Sequence, residues 1–313
     1  MSASSIVRMT ETVDVSVIVV TFNNEAIIET CISAVMQSVK AYVAEVLVVD
    51  NASADNTVEL VRNTTREAEV IELDRNVGFA AANNIALQRA GGRYVALVNS
   101  DAFPDPGAVD HLIRRADSDV RIGLVGGKLR YPSNRHQPSA GCFPSLRGNL
   151  GVALFLHHLP LVAHLPLSLF ANPAQYRDAH RVDWVSGAFC LARREIGPLP
   201  AYGFMYGEDV EWACQAAANG FETWLEPRAT AVHVVAGSSR PATTVHLRQI
   251  RRAEFDLRWF RERGPWAVTG ARVVIAIHAG LRIGLYVTAL PVRPRWARAR
   301  IAEFYALLRA VAQ

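Results

Sequence analysis

Two hydrophobic periods alternate along the first hundred residues. "VSVIVVT" (Val15–Thr21) is an unbroken apolar run, as expected of a strand covered on both faces, and residues 26–39 after it have helical spacing with few breakers. The pattern then repeats. "EVLVVD" (45–50) predicts a second strand and 57–67 a second helix; "VIELD" (70–74) predicts a third strand and 79–89 a third helix, closed by Gly91 and Gly92. "YVALVNSD" (94–101) reads as a fourth strand, with Asp105 and Pro106 opening another helix. Such alternation predicts an α/β fold: a doubly wound, mainly parallel sheet with helices on both faces.

The alternation stops after "IGLVGGKLRY". Residues 132–181 contain "LGVALFLHHLPLVAHLPLSLF", which is Leu-rich but broken by Pro160 and Pro166, so a mobile apolar flap or membrane-facing loop is expected rather than a spanning helix. "VDWVSGAFCLARREI" then reads as a strand entering a helix, "GEDVEWACQAAANG" as a short helix closed by Gly220, and "ETWLEP" and "TAVHVV" as two closing strands. From Thr243 onward the pattern is helical.

Charge divides the chain at the same place. The formal charge is +4, yet residues 240–313 hold 14 Arg against 4 acidic residues, leaving 19 basic against 25 acidic before them. Trp and aliphatic residues lie between those arginines, which favours an anionic membrane surface over nucleic acid, for which no recognised module is present. Residues 266–290 are long and largely apolar, but Arg272, His278 and Arg282 interrupt them. An interfacial helix is expected, with Trp266, Trp296 and the arginines of 293–300 at headgroup level; the alternatives are helices packed on the domain or joining two copies. Four cysteines without ligand-like spacing point to a reducing, cytoplasmic setting, and the N-terminal residues show no apolar signal core.

Several strand ends carry polar residues where open α/β sheets bind ligands. Asp50 ends a core strand and precedes Asn51 and Ser53, residues that also suit a turn. In "VNSDAFPDP", Asn99, Ser100 and Asp101 offer oxygen ligands to a hard divalent cation backed by phosphate, or simply begin a turn. Gly78 precedes a helix of small residues bearing Asn83 and Asn84, which admits a close ligand or a tight helix–sheet contact. Glu208 and Asp209 start a helix after the aromatic loop "YGFMYG"; they complement its dipole, or one of them accepts a proton from a substrate hydroxyl. His233 reads as a core residue or as a ligand to phosphate or metal.

Six segments in order, "VSVIVVTFNNEAIIETCISAV", "VLVVDNASADNT", "NVGFAAANNIAL", "YVALVNSDAFPDPGAV", "VSGAFCLARREI" and "GEDVEW", resemble the family 2 inverting glycosyltransferases of the GT-A fold, in particular their rhamnosyltransferase-like branch. The resemblance covers roughly residues 15–235. It implies a catalytic domain over 1–240, with a nucleotide-sugar half at 14–131 and an acceptor half at 132–240, followed by a basic helical extension at 241–313.

The resemblance also implies roles. Thr21, Phe22, Asn23, Asp50, Asn51, Gly78 and Asn83 would surround the nucleotide, and Asn99, Ser100 and Asp101 would form a D-x-D-like motif holding Mg2+ or Mn2+; His233, from its own position rather than the resemblance, is the further metal candidate. The first motif position is Asn rather than Asp, one carboxylate fewer. Asp209 would be the base beside Glu208, with Trp184 and Gly187 on the acceptor wall. The implied reaction moves one sugar, L-rhamnose from dTDP-rhamnose, to a hydroxyl of a cell-envelope glycan or polyprenyl-diphosphate-linked acceptor. UDP-galactofuranose, UDP-glucose and UDP-N-acetylglucosamine are the alternative donors. A nucleotidyltransferase would need a Gly-rich basic loop after the first strand, which "TFNNEAII" lacks, and a binding protein would not need the three aspartates. No Q-x-x-R-W motif follows the base, so polymerisation is not expected.

Overall fold

The structure is a computed structural model; it describes residues 12–156, 159, 167–202, 207–234 and 243–312, without the side chains of 243–249 and 312. The first half follows the predicted alternation: β1 (Val15–Thr21), α1 (Ile28–Ser38), β2 (Ala44–Asp50), α2 (Thr57–Thr64), β3 (Ala68–Glu72), α3 (Phe79–Arg89), β4 (Tyr94–Asn99), the short β5 (Ala102–Pro104) and α4 (Ala108–Asp117). Then come β6 (Ile122–Arg130), β7 (His136–Gln137), β8 (Ala140–Gly141), α5 (Leu146–Ala153), β9 (His180–Val182), β10 (Trp184–Val185), β11 (Phe189–Arg193), α6 (Glu208–Ala218) and β12 (Glu222–His233). Three helices follow: α7 (Thr243–Arg261), α8 (Pro265–Thr288) and α9 (Pro294–Ala312).

The main sheet runs β3-β2-β1-β4-β11-β6-β12-β5. The first four strands are parallel, β11 runs antiparallel between β4 and β6, and β12 is parallel to β6. Both faces are covered, which explains the unbroken apolar strands. Val17 and Val19 pack with Ile28 and Ile32 of α1 and Leu112 of α4, whereas Ile18 between them packs with α3 and α6 on the other face. Register places Thr21 opposite Asp50 and Val20 opposite Asn99, so the polar ends of β1, β2 and β4 meet at one sheet edge.

Four local expectations are corrected. Gly91 and Gly92 do not cap α3 with a left-handed residue; Ala90 ends the helix, and at Gly92 a side chain would stand 2.6 Å from the Ser16 backbone nitrogen. The third strand lies two residues earlier than 70–74. "LARREI" leads into a single 3-10 turn, not a helix. "ETWLEP" and "TAVHVV" belong to one strand, β12, whose register shifts between Glu226 and Thr230. Pro227 has no N–H for a ladder, and buried Glu226 accepts from Arg115 and Arg228 at the bulge. Gly220 closes α6 at φ 83, as expected.

Helix α7 is fused to the sheet domain. Its Phe255, Trp259 and Phe260 are buried in the cluster that holds Val210 and Trp212 of α6, and Trp259 Nε1 donates to the Pro144 carbonyl at 2.9 Å. A smaller cluster joins Ala253 of α7, Ile275 and Ala279 of α8, and Phe304 and Leu307 of α9. Among the described residues α8 is the one helix long and apolar enough to cross a membrane, with a mean hydropathy of 1.4. Only 11% of that window is buried. Nine residues of the Leu-rich centre of 132–181, 157–158 and 160–166, lie outside the described residues.

Candidate active site

A cavity of about 380 Å3 opens at the shared edge of β1 and β4. Thr21, Phe22 and Asn51 line one end of it with Gly78 and Phe79. Asn99, Ser100, Asp101 and His233 contribute a polar group, and Trp184, Gly187, Glu208 and Asp209 a third set. The sheet register brings together what the sequence separates by two hundred residues.

The first loop is held by side chains. Asn24 Oδ1 accepts from Thr21 Oγ1, the Phe22 N–H and Ser100 Oγ at 3.1, 3.2 and 2.9 Å, tying β1 to β4. Asn51 Oδ1 accepts from the Val77 N–H at 2.8 Å and its Nδ2 donates to the Gly78 carbonyl, so the loop before α3 is fastened to β2. Gly78 sits at φ 86 and ψ 175, a conformation open to glycine alone.

Three expected nucleotide residues stand apart from the cavity lining. Asp50 is buried and turns back on its own strand end, accepting from Ser53 N at 2.9 Å and Ser53 Oγ at 2.5 Å. Asn23, at φ 52, uses its side chain to accept from the Ala54 N–H at 2.8 Å. Asn83 is buried inside α3, where its amide donates to the Phe79 carbonyl. The side chain there serves the helix.

Asp101 and His233 are brought side by side by the β5–β12 ladder, in which His233 pairs with Ala102 and the Val234 N–H donates to the Asp101 carbonyl at 2.9 Å. His233 Nε2 lies 3.1 Å from Asp101 Oδ1, and Gln137 Nε2 lies 2.9 Å from His233 Nδ1. Among the described residues no cluster of three or more His, Cys, Asp or Glu suits a metal. A carboxylate and an imidazole nonetheless fit Mg2+ or Mn2+ when diphosphate and water complete the shell, and the buried Asn99 Oδ1, without a partner among the described residues, adds a free oxygen to the lining.

Asp209 begins α6 beside Gly187. Burial pushes its carboxyl above the ordinary value of 3.8; the Val210 N–H, Arg252 and the Gly187 N–H act against that rise. The outcome is a carboxylate more basic than a surface aspartate, facing a cavity. Just before it, Gly207 sits at φ 97, and a side chain there would meet Phe255 Cδ2 at 2.1 Å. Residues 203–206 of the aromatic loop lie outside the described residues.

Sequence reasoning missed Asn24, Asn76, Gln137 and Arg252, all of which line the cavity, whereas Ser186 lies within the expected acceptor wall from Trp184 to Gly187. Asn24 and Asn76 lay within the quoted motifs. Gln137 and Arg252 gave no signal: one comes from a two-residue strand, the other from a helix read only as a basic extension.

A doubly wound sheet with a carboxylate–imidazole pair and a buried aspartate in one edge cavity is the arrangement that the glycosyltransferase motifs led us to expect. Residues 16–147 match the family model "Glycosyl transferase family 2", and the chain is a glycosyltransferase carrying a domain of that family. It is 26% identical over 238 residues to the N-acetylglucosaminyl-diphospho-decaprenol L-rhamnosyltransferase of Mycobacterium tuberculosis, covering 71% of this chain and 76% of the relative. Two solved structures share the fold. The mannosyltransferase PcManGT from Pyrobaculum calidifontis, in complex with GDP-Man and Mn2+, has a TM-score of 0.57 at 21% identity, covering 97% of this chain and 87% of its own. Residues 1–349 of S. aureus TarS have a TM-score of 0.50 at 17% identity, covering 96% and 91%.

Proposed function

We propose that the protein transfers one sugar, L-rhamnose from dTDP-rhamnose, with inversion, to a hydroxyl of a polyprenyl-diphosphate-linked glycan. The observation carrying this reading is the convergence of Asp209 with the Asp101–His233 pair on one cavity. The name of the rhamnosyltransferase relative supports rhamnose as the sugar and a lipid-diphosphate-linked acceptor.

In this reading Asp209, as the carboxylate, takes the proton of the acceptor hydroxyl as that oxygen attacks the anomeric carbon and the bond to the nucleoside diphosphate breaks. Asp101 and His233 would hold Mg2+ or Mn2+, which when bound supplies positive charge against the diphosphate. Arg252 adds a fixed cation to the same lining. Phe22, Asn51 and Gly78 receive the nucleoside, while Asp50, locked to Ser53, holds the strand end in shape. Trp184, whose indole N–H donates to the Cys142 and Ser168 carbonyls, stiffens the acceptor wall with Gly187, and Glu208 stands beside the base.

The reaction takes place, we further propose, at the cytoplasmic face of an anionic membrane. Trp266, Val273 and Leu285 are exposed along α8, and Val292, Trp296 and the arginines 293, 295 and 298 are exposed after its end. Flotation with anionic liposomes, reversed by salt and absent with neutral lipid, is the expected result; a salt-insensitive dimer would assign the face to a second copy.

The deciding test of the reaction is release of nucleoside diphosphate from dTDP-rhamnose, against UDP-galactofuranose, UDP-glucose and UDP-N-acetylglucosamine, with Mg2+, Mn2+ or chelator. Turnover of a UDP-sugar in preference to dTDP-rhamnose overturns the donor assignment. Release from no donor in the presence of polyprenyl-linked acceptor overturns the proposal.

A further inference from the structure

We infer that Gln137 sets the ring tautomer of His233, and through it the affinity of the Asp101–His233 pair for a divalent cation. The inference rests on the metal reading above and adds a positioning residue to it.

Gln137 sits on β7 opposite Leu129 of β6 and is only 8% exposed. Its amide nitrogen lies 2.9 Å from His233 Nδ1, while its Oε1 is buried without a partner among the described residues. Only one end of the amide is used. On the far side of the ring, Nε2 lies 3.1 Å from Asp101 Oδ1, and backbone pairing with Ala102 fixes the histidine in place.

These contacts determine the proton. An amide N–H donating to Nδ1 requires a lone pair there, so the neutral ring carries its hydrogen on Nε2 and donates it to Asp101. In that state Nε2 has no lone pair for a metal. A half-turn of the amide brings Oε1 to Nδ1, where it accepts an N–H, and the ring's lone pair passes to Nε2 beside the Asp101 carboxylate. Lone pair and carboxylate oxygens 3.1 Å apart repel unless a cation joins them. One proton moves from Nε2 to Nδ1 through solvent, and the ring charge does not change.

Each amide setting therefore matches one state of the site: donor to Nδ1 without cation, acceptor from Nδ1–H with cation. An amide can do both without gaining charge. Glutamate would only accept, locking the ligating tautomer, and leucine would do neither. Partners of this kind orient metal-ligating histidines and commonly alter metal affinity by about 10- to 100-fold.

The test uses the full-length protein. The 15N spectrum of the His233 ring is recorded with and without Mg2+ and dTDP, and Mn2+ affinity with dTDP is measured by electron paramagnetic resonance for the parent, Gln137→Leu, Gln137→Glu and His233→Ala. The expected ring proton is on Nε2 without the ion and on Nδ1 with it, and on Nδ1 in both states for Gln137→Glu. Mn2+ binding should weaken about tenfold or more in Gln137→Leu and tighten in Gln137→Glu. A ring proton on the same nitrogen in both states of the parent overturns the inference, as does a lower melting temperature in Gln137→Leu with unchanged Mn2+ affinity. If His233→Ala loses Mn2+ while both Gln137 variants stay within about twofold of the parent, the metal reading stands and the relay alone is wrong. If His233→Ala binds Mn2+ like the parent, the ligand reading fails and this inference with it.

Discussion

Replacing Asp209 with asparagine removes the base and almost nothing else. The side chain keeps its shape, and an amide oxygen can still accept from the Val210 N–H at 2.9 Å, so α6 keeps its start. The amide NH2 cannot accept from a second N–H, and losing the bond from Gly187 costs about 1 kcal/mol. General-base loss typically lowers rate by about 10^2- to 10^4-fold, which is about 2.7–5.5 kcal/mol on the barrier. Donor affinity should hardly move, since the lost group acts on the acceptor. The pH dependence adds a second reading. Burial raises the Asp209 carboxyl above 3.8, so the parent's rate should fall on acidification at a higher pH than an ordinary aspartate would give, and the asparagine variant should be flat. Stability has the opposite sense: a raised folded pKa favours folding only while the group is protonated, so above 3.8 its ionisation opposes folding, and the variant lacks that burden. Its melting temperature relative to the parent should therefore rise between pH 3 and pH 7. The assays are nucleoside diphosphate release, donor calorimetry and thermal melts at several pH values. Near-parent turnover in the variant would refute Asp209 as the base; a melting difference independent of pH would refute the buried, raised carboxylate.

Asp101→Ala should weaken donor binding and abolish its dependence on divalent metal, tested by calorimetry with metal and with chelator; unchanged metal dependence would place the ion elsewhere. Gly207→Ala should lower stability by about 2–5 kcal/mol, because it combines strain at φ 97 with a clash against Phe255, and chemical denaturation measures it. For Glu226, burial raises the carboxyl but hydrogen bonds from Arg228 and Arg115 outweigh it, so its pKa is lowered and its contribution is present above 4.5 and lost as pH falls through the folded value. Glu226→Gln should thus cost about 1.5–3 kcal/mol at pH 7 and less at pH 3, read from denaturation at both.

The β1–β4 half of the fold was legible because strands covered on both faces must be apolar throughout, a pattern that depends on neither loops nor partners. β5 was not: three residues carry no period, and the 94–101 run looked like one strand, although Ser100 and Asp101 turn the chain. β12 was read as two strands because Pro227 and Glu226 interrupt its apolar pattern, although Arg115 and Arg228 make that interruption a stable bulge. In the site, Asp101, Asp209 and Gly78 were found at element ends, where local rules apply. Gln137 and Arg252 were invisible because their meaning comes only from packing: nothing near residue 137 announces that residue 233 will lie across from it. Asp50 was found as a strand-end carboxylate, but its bonds to Ser53 are a turn's bonds.

The contact between Gly207 and Phe255 makes two distant positions one unit of change. A descendant that acquires a side chain at 207 must first lose bulk at 255, and a smaller residue at 255 leaves a void under the start of the helix that bears Asp209. Positions 207 and 255 should therefore drift together or not at all, whereas the outward face of α8, which touches little of the protein, is free to diverge with whatever surface each lineage must meet. Gly264, where the chain passes from α7 to α8, separates a helix packed on the sheet domain from one whose outward face is free of it.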